Sequence, residues 1–174
     1  GRGAARLIEV ALQHVVPHHA QDPQKHAVEA RLLAAFMVRY QDSVCEASTV
    51  YPGVAEFVAT ARAAGIRLAC VTNKPYRPAV ALLEALNLLD AFELVIGGDS
   101  LLHKKPHPEP LLHCLRHFEV TAAQALMIGD SRNDVDAAKA AGVKSLALPY
   151  GYNHGEPIEA CEPDRLVASL AELI

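Results

Sequence analysis

Two aspartates four positions apart, Asp130 and Asp134, stand in the run Gly129-Asp130-Ser131-Arg132-Asn133-Asp134, directly after the apolar stretch 125–128. If that stretch is a strand and the run opens a helix, both carboxylates face the turn between them. Hard carboxylate oxygens suit Mg²⁺ better than Zn²⁺. Ser, Asn and Asp are also ordinary helix caps, so a purely structural reading of the run stands beside the metal reading. Lys105, ahead of Pro106, supplies a cation, although a lysine is more commonly a solvated surface residue. Thr72 supplies a hydroxyl, and the backbone amides around Asn73 supply donors suited to phosphate oxygens. The simpler role for Thr72 is a loop hydroxyl capping a helix. Taken together, a carboxylate pair, a lysine and a threonine can neutralise a phosphoryl group during its transfer.

The intervening elements must bring these residues together. Apolar residues recur at helical spacing over 7–16, where Pro17 stops them. They recur again over 23–44, with Val28, Leu32, Leu33, Phe36, Met37 and Tyr40 on one stripe and Pro23 at the first turn. The spacing predicts two antiparallel helices. Ser48-Thr49-Val50-Tyr51-Pro52-Gly53 then supplies turn chemistry, and the pattern changes. Helices are predicted over 54–64, 78–88, 108–118, 133–141 and 164–173, with Gly65 and Gly142 as left-handed caps. Short apolar runs over 66–71, 92–96, 125–128 and 144–148 read as strands. Strands that alternate with helices and carry little polar alternation imply a parallel sheet covered on both faces. The expected fold class is therefore α/β, a doubly wound parallel sheet with a small helical piece in front.

In such a sheet the carboxyl ends of the strands share one edge, and ligands bind there. Each predicted strand is followed by polar residues: Thr72-Asn73-Lys74, Gly97-Gly98-Asp99-Ser100 with Lys104-Lys105 beyond, the run from Asp130 to Asp134, and Pro149-Tyr150-Gly151-Tyr152-Asn153-His154. Four polar clusters are thus expected to converge on one crevice.

Composition narrows the partners. The 174 residues are 51% hydrophobic and 21% charged, which excludes a collagen, a disulfide scaffold and a disordered tail. A net charge of −4 leaves no basic field for a polyanion, so nucleic acid is not an expected partner. No apolar run reaches the roughly 18 residues of a membrane span, and a soluble, cytoplasmic protein with no membrane partner is expected. Cys45, Cys70, Cys114 and Cys161 are widely spaced and read as reduced thiols. Nine histidines invite a metal reading, and His113 and His117 would share a helix face, but that run lacks a zincin Glu and a third ligand. His14, His18, His19 and His26 surround the Pro17 break and read as loop and helix-end residues.

Three runs, Val71-Thr72-Asn73-Lys74-Pro75, Lys104-Lys105-Pro106-His107-Pro108 and Gly129-Asp130-Ser131-Arg132-Asn133-Asp134, occur in order on this α/β punctuation. The sequence thereby resembles the haloacid dehalogenase superfamily and, within it, the phosphoglycolate phosphatases. The runs Ala137-Ala138-Lys139-Ala140-Ala141-Gly142 and Tyr150-Gly151-Tyr152-Asn153 extend that resemblance over nearly the whole chain. It implies a partial helical cap over 1–46, with Gly1-Arg2-Gly3-Ala4 matching its substrate loop, and a Rossmann-like core over 47–174. It also implies a Mg²⁺-dependent phosphomonoester hydrolase that acts on a small phosphorylated organic acid, 2-phosphoglycolate, through an aspartyl-phosphate. By the same resemblance Asp130 is a direct metal ligand, while Asp134 holds a metal-bound water or steadies Lys105. Thr72 and Lys105 bind the transferring phosphoryl oxygens, and Asn73 lines their pocket. The cap closes over the site and selects the organic part of the substrate.

The superfamily's first motif, Asp-x-Asp-Gly-Thr at the end of an apolar strand, does not occur here. The one Asp-x-Asp is Asp134-Val135-Asp136, where Asp134 already belongs to the last motif and Asp136 would point along the helix. The nucleophile and the acid/base are therefore expected upstream of Gly1, on a strand central to the sheet, between those ending at Thr72 and Asp130. Without it two inward strand edges stay unpaired, so the chain by itself is expected to be inactive and poorly stable. The alternatives are a non-catalytic binder of a phosphorylated ligand or partner, and a phosphatase or phosphomutase for another small sugar or nucleotide phosphate. An exposed apolar cap face would also serve a homodimer.

Overall fold

The computed structural model of the chain describes residues 4–16, 21–42, 48–151, 153 and 155–174. Two helices come first, α1 (Ala4–Val15) and α2 (Lys25–Asp42), packed on each other. Val28, Leu33, Phe36 and Met37 are half-buried as the stripe requires, whereas Leu32 is exposed. Then follow α3 (Val54–Ala63), β1 (Ala69–Val71), α4 (Tyr76–Ala85), β2 (Leu94–Ile96), α5 (Glu109–Phe118), β3 (Leu126–Gly129), α6 (Arg132–Ala141), β4 (Lys144–Ala147) and β5 (Arg165–Leu166). α3 ends as its glycine dictates. Gly65, at φ 76°, lets its own N–H reach Arg62 O and the N–H of Ile66 reach Ala61 O, satisfying carbonyls that the last turn leaves open.

All strand pairs are parallel, and both faces of the sheet are covered. Leu146 of β4 and Leu148 just after it share one cluster, where Val167, Leu170 and Phe57 of α3 meet them. Ala147 points to the opposite face from Leu146 and packs with Val135 of α6, Ile158 and Cys161. Leu111 of α5 and Ala137, Ala138 and Ala141 of α6 form the cluster that takes in Val71 of β1 and Met127 of β3. The small residues of α6 let it lie close to its neighbours, and full burial of a side chain such as Val135 contributes on the order of 1.5–3 kcal/mol.

The hydrogen-bonded ladders fall into two groups, β1–β2 and β3–β4–β5. Ala69, Cys70 and Val71 pair with Leu94, Val95 and Ile96; Leu126 to Gly129 pair with Lys144 to Ala147. β1 and β3 share one apolar cluster but exchange no ladder bond among the described residues. Among the described residues each therefore has one edge without a ladder partner. β4, with neighbours on both sides, buries Ser145, Leu146 and Ala147, while β3 leaves Leu126 53% exposed and its other residues half-buried. The predicted strand over 66–71 is likewise shortened to three residues, with Ile66 exposed.

The end of the chain departs from expectation. In place of a helix over 164–173 there is the short strand β5 and a 3₁₀ turn over Leu170–Leu173. The open edge of β4 accounts for it. Asp164 accepts hydrogen bonds from the N–H and hydroxyl of Ser145 (2.9 and 3.1 Å) and from Lys144 Nζ (2.5 Å), and these dock the segment beside β4. Val167 N–H then donates to Ala147 O, and the Ser169 hydroxyl accepts from Ala171 N–H to start the 3₁₀ turn. Tertiary pairing overrides local helical periodicity here. No described helix is long and apolar enough to cross a membrane.

Candidate functional site

The turn after β1 and the start of α6 are joined through one lysine. Lys105, 8% exposed, extends its ammonium group to the carbonyl oxygen of Val71, at the end of β1, and to Asp134 Oδ1 at 2.6 Å. The other carboxylate oxygen of Asp134 accepts from the N–H groups of Asp130 (3.2 Å) and Ser131 (3.0 Å) and from the Ser131 hydroxyl (2.7 Å). Burial pushes the Asp134 carboxyl up, but the Lys105 charge and these hydrogen bonds outweigh it and hold the group below the usual carboxylate range. Asp134 thus closes a capping box with Ser131 and anchors Lys105 at once. The capping reading of the run is realised in this side chain, which anchors Lys105 as well.

Asn73 is buried, and its Nδ2 donates to Lys105 O at 2.8 Å, fixing the lysine's backbone as well as its head group. Thr72 N–H donates to Ile96 O, and the Thr72 hydroxyl accepts from Lys74 N–H at 3.1 Å, which tightens the turn after β1. Asp130 sits at the end of β3 against Gly151. A Cβ at position 151 would lie 1.9 Å from Asp130 Cβ and 2.0 Å from Oδ2, so the carboxylate fills a place that only glycine vacates. Thr72, Asn73, Lys105, Asp130 and Asp134 accordingly form one connected group at the carboxyl ends of β1 and β3.

The other two polar clusters contribute less directly. Asp99 accepts from Tyr76 N–H at 2.7 Å, and the Ser100 hydroxyl accepts from Gly97 N–H at 2.9 Å, so both stabilise the turns around α4. Asn153 Oδ1 accepts from Arg132 N–H at 2.7 Å and braces the start of α6; Tyr152 and His154 lie outside the described residues. Ser131, Gly151 and Asn153 belong to clusters expected at this crevice, but their tasks, like that of the Val71 carbonyl, emerge only from the structure. Ser131 was detectable as the start of a Ser-x-x-Asp box. The approach of Gly151 to Asp130 is long-range and leaves no local signal.

Residues of α1 and α2 meet the segment before Lys105. Arg6, Glu9, Glu29, Leu33 and Lys104 line a cavity of about 330 Å³ between them. His113 and His117 do lie on α5, with His117 Nε2 3.7 Å from Glu93. Cys70, Cys114 and Cys161 are free thiols; burial holds Cys114 up at about 11, and Cys45 lies outside the described residues.

The family model for haloacid dehalogenase-like hydrolases matches residues 4–148, a span that includes Thr72, Asn73, Lys105, Asp130 and Asp134. The chain belongs to the haloacid dehalogenase-like hydrolase family. It is 43% identical over 173 residues to a phosphoglycolate phosphatase of Nitrosococcus oceani, covering 99% of this chain and 75% of that protein. Among solved structures it is similar to a predicted phosphoglycolate phosphatase of Haemophilus somnus (TM-score 0.84, 31% identity, 99% of this chain and 76% of that one). It is also similar to CbbY of Rhodobacter sphaeroides in complex with phosphate (TM-score 0.78, 30% identity, again 99% and 76%). The family and its α/β fold are those the motif order implied, and the curated relatives are phosphoric monoester hydrolases.

Within this family frame the donors favour a hard cation. Asp130 offers carboxylate oxygen at a strand end, in a place kept open by Gly151, and Mg²⁺ typically takes one or two carboxylates and fills its shell with water and phosphate oxygen. Both oxygens of Asp134 are engaged by protein donors, Oδ1 by Lys105 and Oδ2 by the Asp130 and Ser131 N–H groups, so its carboxylate steadies Lys105 and the turn.

Proposed function

We propose that this chain forms the cap, over 1–46, and most of the core, over 47–174, of a Mg²⁺-dependent phosphatase acting on 2-phosphoglycolate. In this reading an aspartate upstream of Gly1 attacks phosphorus to give an aspartyl-phosphate, and a second aspartate two residues later protonates the leaving alkoxide and then activates water. The observation that carries it is the place of Lys105, spanning from β1 to α6 where no ladder joins β1 to β3 among the described residues. A strand inserted there would bring its carboxyl end beside Thr72, Lys105 and Asp130.

The chain's own residues then have distinct tasks. Two of the three N–H bonds of the Lys105 ammonium are directed to Val71 O and Asp134, and the third remains for a phosphoryl oxygen. The Thr72 hydroxyl accepts from Lys74 N–H and keeps its own proton to donate to a second oxygen. Asn73 holds the Lys105 backbone in place, so its effect on the phosphoryl group includes positioning. Asp130 is a metal ligand and Asp134 keeps the Lys105 ammonium aimed. Mg²⁺, when bound at Asp130, supplies positive charge against the phosphoryl oxygens. The helical piece that lines the cavity with Lys104 excludes bulk water and contacts the carboxylate end of the substrate.

The test is phosphate release by the protein extended upstream of Gly1, assayed against a panel of small phosphomonoesters with and without Mg²⁺. The expected result is Mg²⁺-dependent turnover with the highest kcat/KM for 2-phosphoglycolate. A higher kcat/KM for a sugar or nucleotide phosphate would overturn the substrate assignment, and no turnover of any member would overturn the enzyme reading.

A further inference from the structure

The segment that carries Lys105 holds a second group of metal-ligating side chains that the proposed reaction leaves unused. In His103-Lys104-Lys105-Pro106-His107-Pro108-Glu109, the lysine that serves the site is bracketed by two histidines and a glutamate. The His103 and His107 rings stack with centroids 4.0 Å apart and planes inclined by 20°. His103 Nδ1 lies 2.8 Å from Glu109 Oε2, and that oxygen also accepts from the His103 N–H at 2.8 Å. His107 Nδ1 accepts from Glu109 N–H at 3.1 Å. One donor atom from each of the three side chains falls within 4.8 Å of the others.

From this geometry we infer that His103, His107 and Glu109 form a Zn²⁺-class transition-metal site, separate from the oxygen site at Asp130. Metal–donor bonds of about 2.0–2.1 Å at tetrahedral angles place donor atoms about 3.3 Å apart. The His103–Glu109 pair already lies near that spacing. The widest pair needs to close by about 1.5 Å at that geometry, within reach of exposed rings turning about their side-chain torsions. Glu109 is already oriented by a backbone amide, so its carboxylate is held for a cation before one arrives. The His107 ring exchanges its contact with Glu109 N–H for the metal. Two imidazoles and one carboxylate select zinc and its neighbours over Mg²⁺, and three protein ligands on an exposed surface leave a position for water. Occupancy would tie the residues on either side of Lys105 into one ring and restrain the segment that presents it.

The experiment is a zinc titration of the full chain, as it stands and extended upstream of Gly1, against a competing chromophoric chelator with Mg²⁺ in excess. Imidazole Cε1–H resonances are followed in parallel. Wild type is expected to bind one zinc that His103→Ala, His107→Ala and Glu109→Gln each weaken by more than the roughly 10–100-fold that outer-shell partners contribute. The double variant His113→Ala/His117→Ala should retain it, and the His103 and His107 resonances should shift first. Far-UV circular dichroism of each variant reports folding, and the resonance order in wild type needs no variant. Unchanged affinity in any one of the three variants would overturn the site, as would earlier shifts at His14, His26, His113 or His117. Equal weakening by the control double variant would also overturn it, because it would mark diffuse histidine binding.

Discussion

The Lys105–Asp134 pair can be tested by breaking it from one side and then removing it altogether. Their side chains are 9% and 7% exposed with Nζ and Oδ1 2.6 Å apart, so this is a buried ion pair. Asp134→Asn keeps the shape and an oxygen for Ser131, which limits the loss from the cap to about 1 kcal/mol or less. It leaves the Lys105 ammonium buried opposite a neutral amide, and breaking a buried pair from one side costs about 3–5 kcal/mol. In urea, with a slope of about 2 kcal/mol/M, the midpoint should fall by roughly 2 M at unchanged slope. The double variant Lys105→Met/Asp134→Leu removes both charges and should recover most of that loss, because apolar replacement of a buried pair is often neutral or stabilising. Urea unfolding of wild type, Lys105→Met, Asp134→Leu and the double variant, in the protein extended upstream of Gly1, completes a double-mutant cycle. A single-variant cost of about 1 kcal/mol or less, the value of a solvent-exposed pair, would refute the reasoning. So would strictly additive losses in the double variant.

Three further outcomes follow from the same geometry. Asp164 is held at about 2 by Lys144 and the Ser145 amide, from an ordinary value of 3.8. Its contribution is therefore complete above pH 3.8 and lost as the pH falls toward 2, and an acid titration followed by circular dichroism should show Asp164→Asn losing less stability than wild type over that window. Gly151→Ala places a methyl group against Asp130 and should abolish Mg²⁺-dependent turnover of the upstream-extended protein while leaving its circular dichroism spectrum unchanged. Asp130→Asn should lower kcat by at least about 10²-fold, the scale of one lost electrostatic contact at a reacting phosphoryl group, with a urea midpoint close to wild type.

Much of this arrangement was legible in the sequence because its determinants are local. Gly65 and Gly142 mark helix ends wherever they occur, and both take the left-handed conformation expected of them. Thr72, Lys105 and Asp130 follow apolar runs, and parallel strands gather such ends on one edge without further information. The C-terminal segment was not legible because its apolar spacing fits a helix, while the vacant edge of β4 and the Asp164–Ser145 bonds, both nonlocal, decide for a strand. The His103, His107 and Glu109 group escaped for a related reason. Helical spacing singles out His113 and His117, whereas the group that converges joins a turn to the first residue of α5, along a path that spacing alone does not give. The shallow burial of β3 is likewise visible only once β4 is seen beside it.

The central claim is that this chain supplies the phosphoryl and metal contacts while a strand from upstream supplies the attacking carboxylate. Phosphate release from 2-phosphoglycolate in Mg²⁺, measured on the chain alone and on the protein extended upstream of Gly1, tests it most directly. The account predicts background rates for the chain and turnover for the extended protein, lost again when the first aspartate of the added motif becomes asparagine. Turnover by the chain alone, or turnover that survives that substitution, would contradict it.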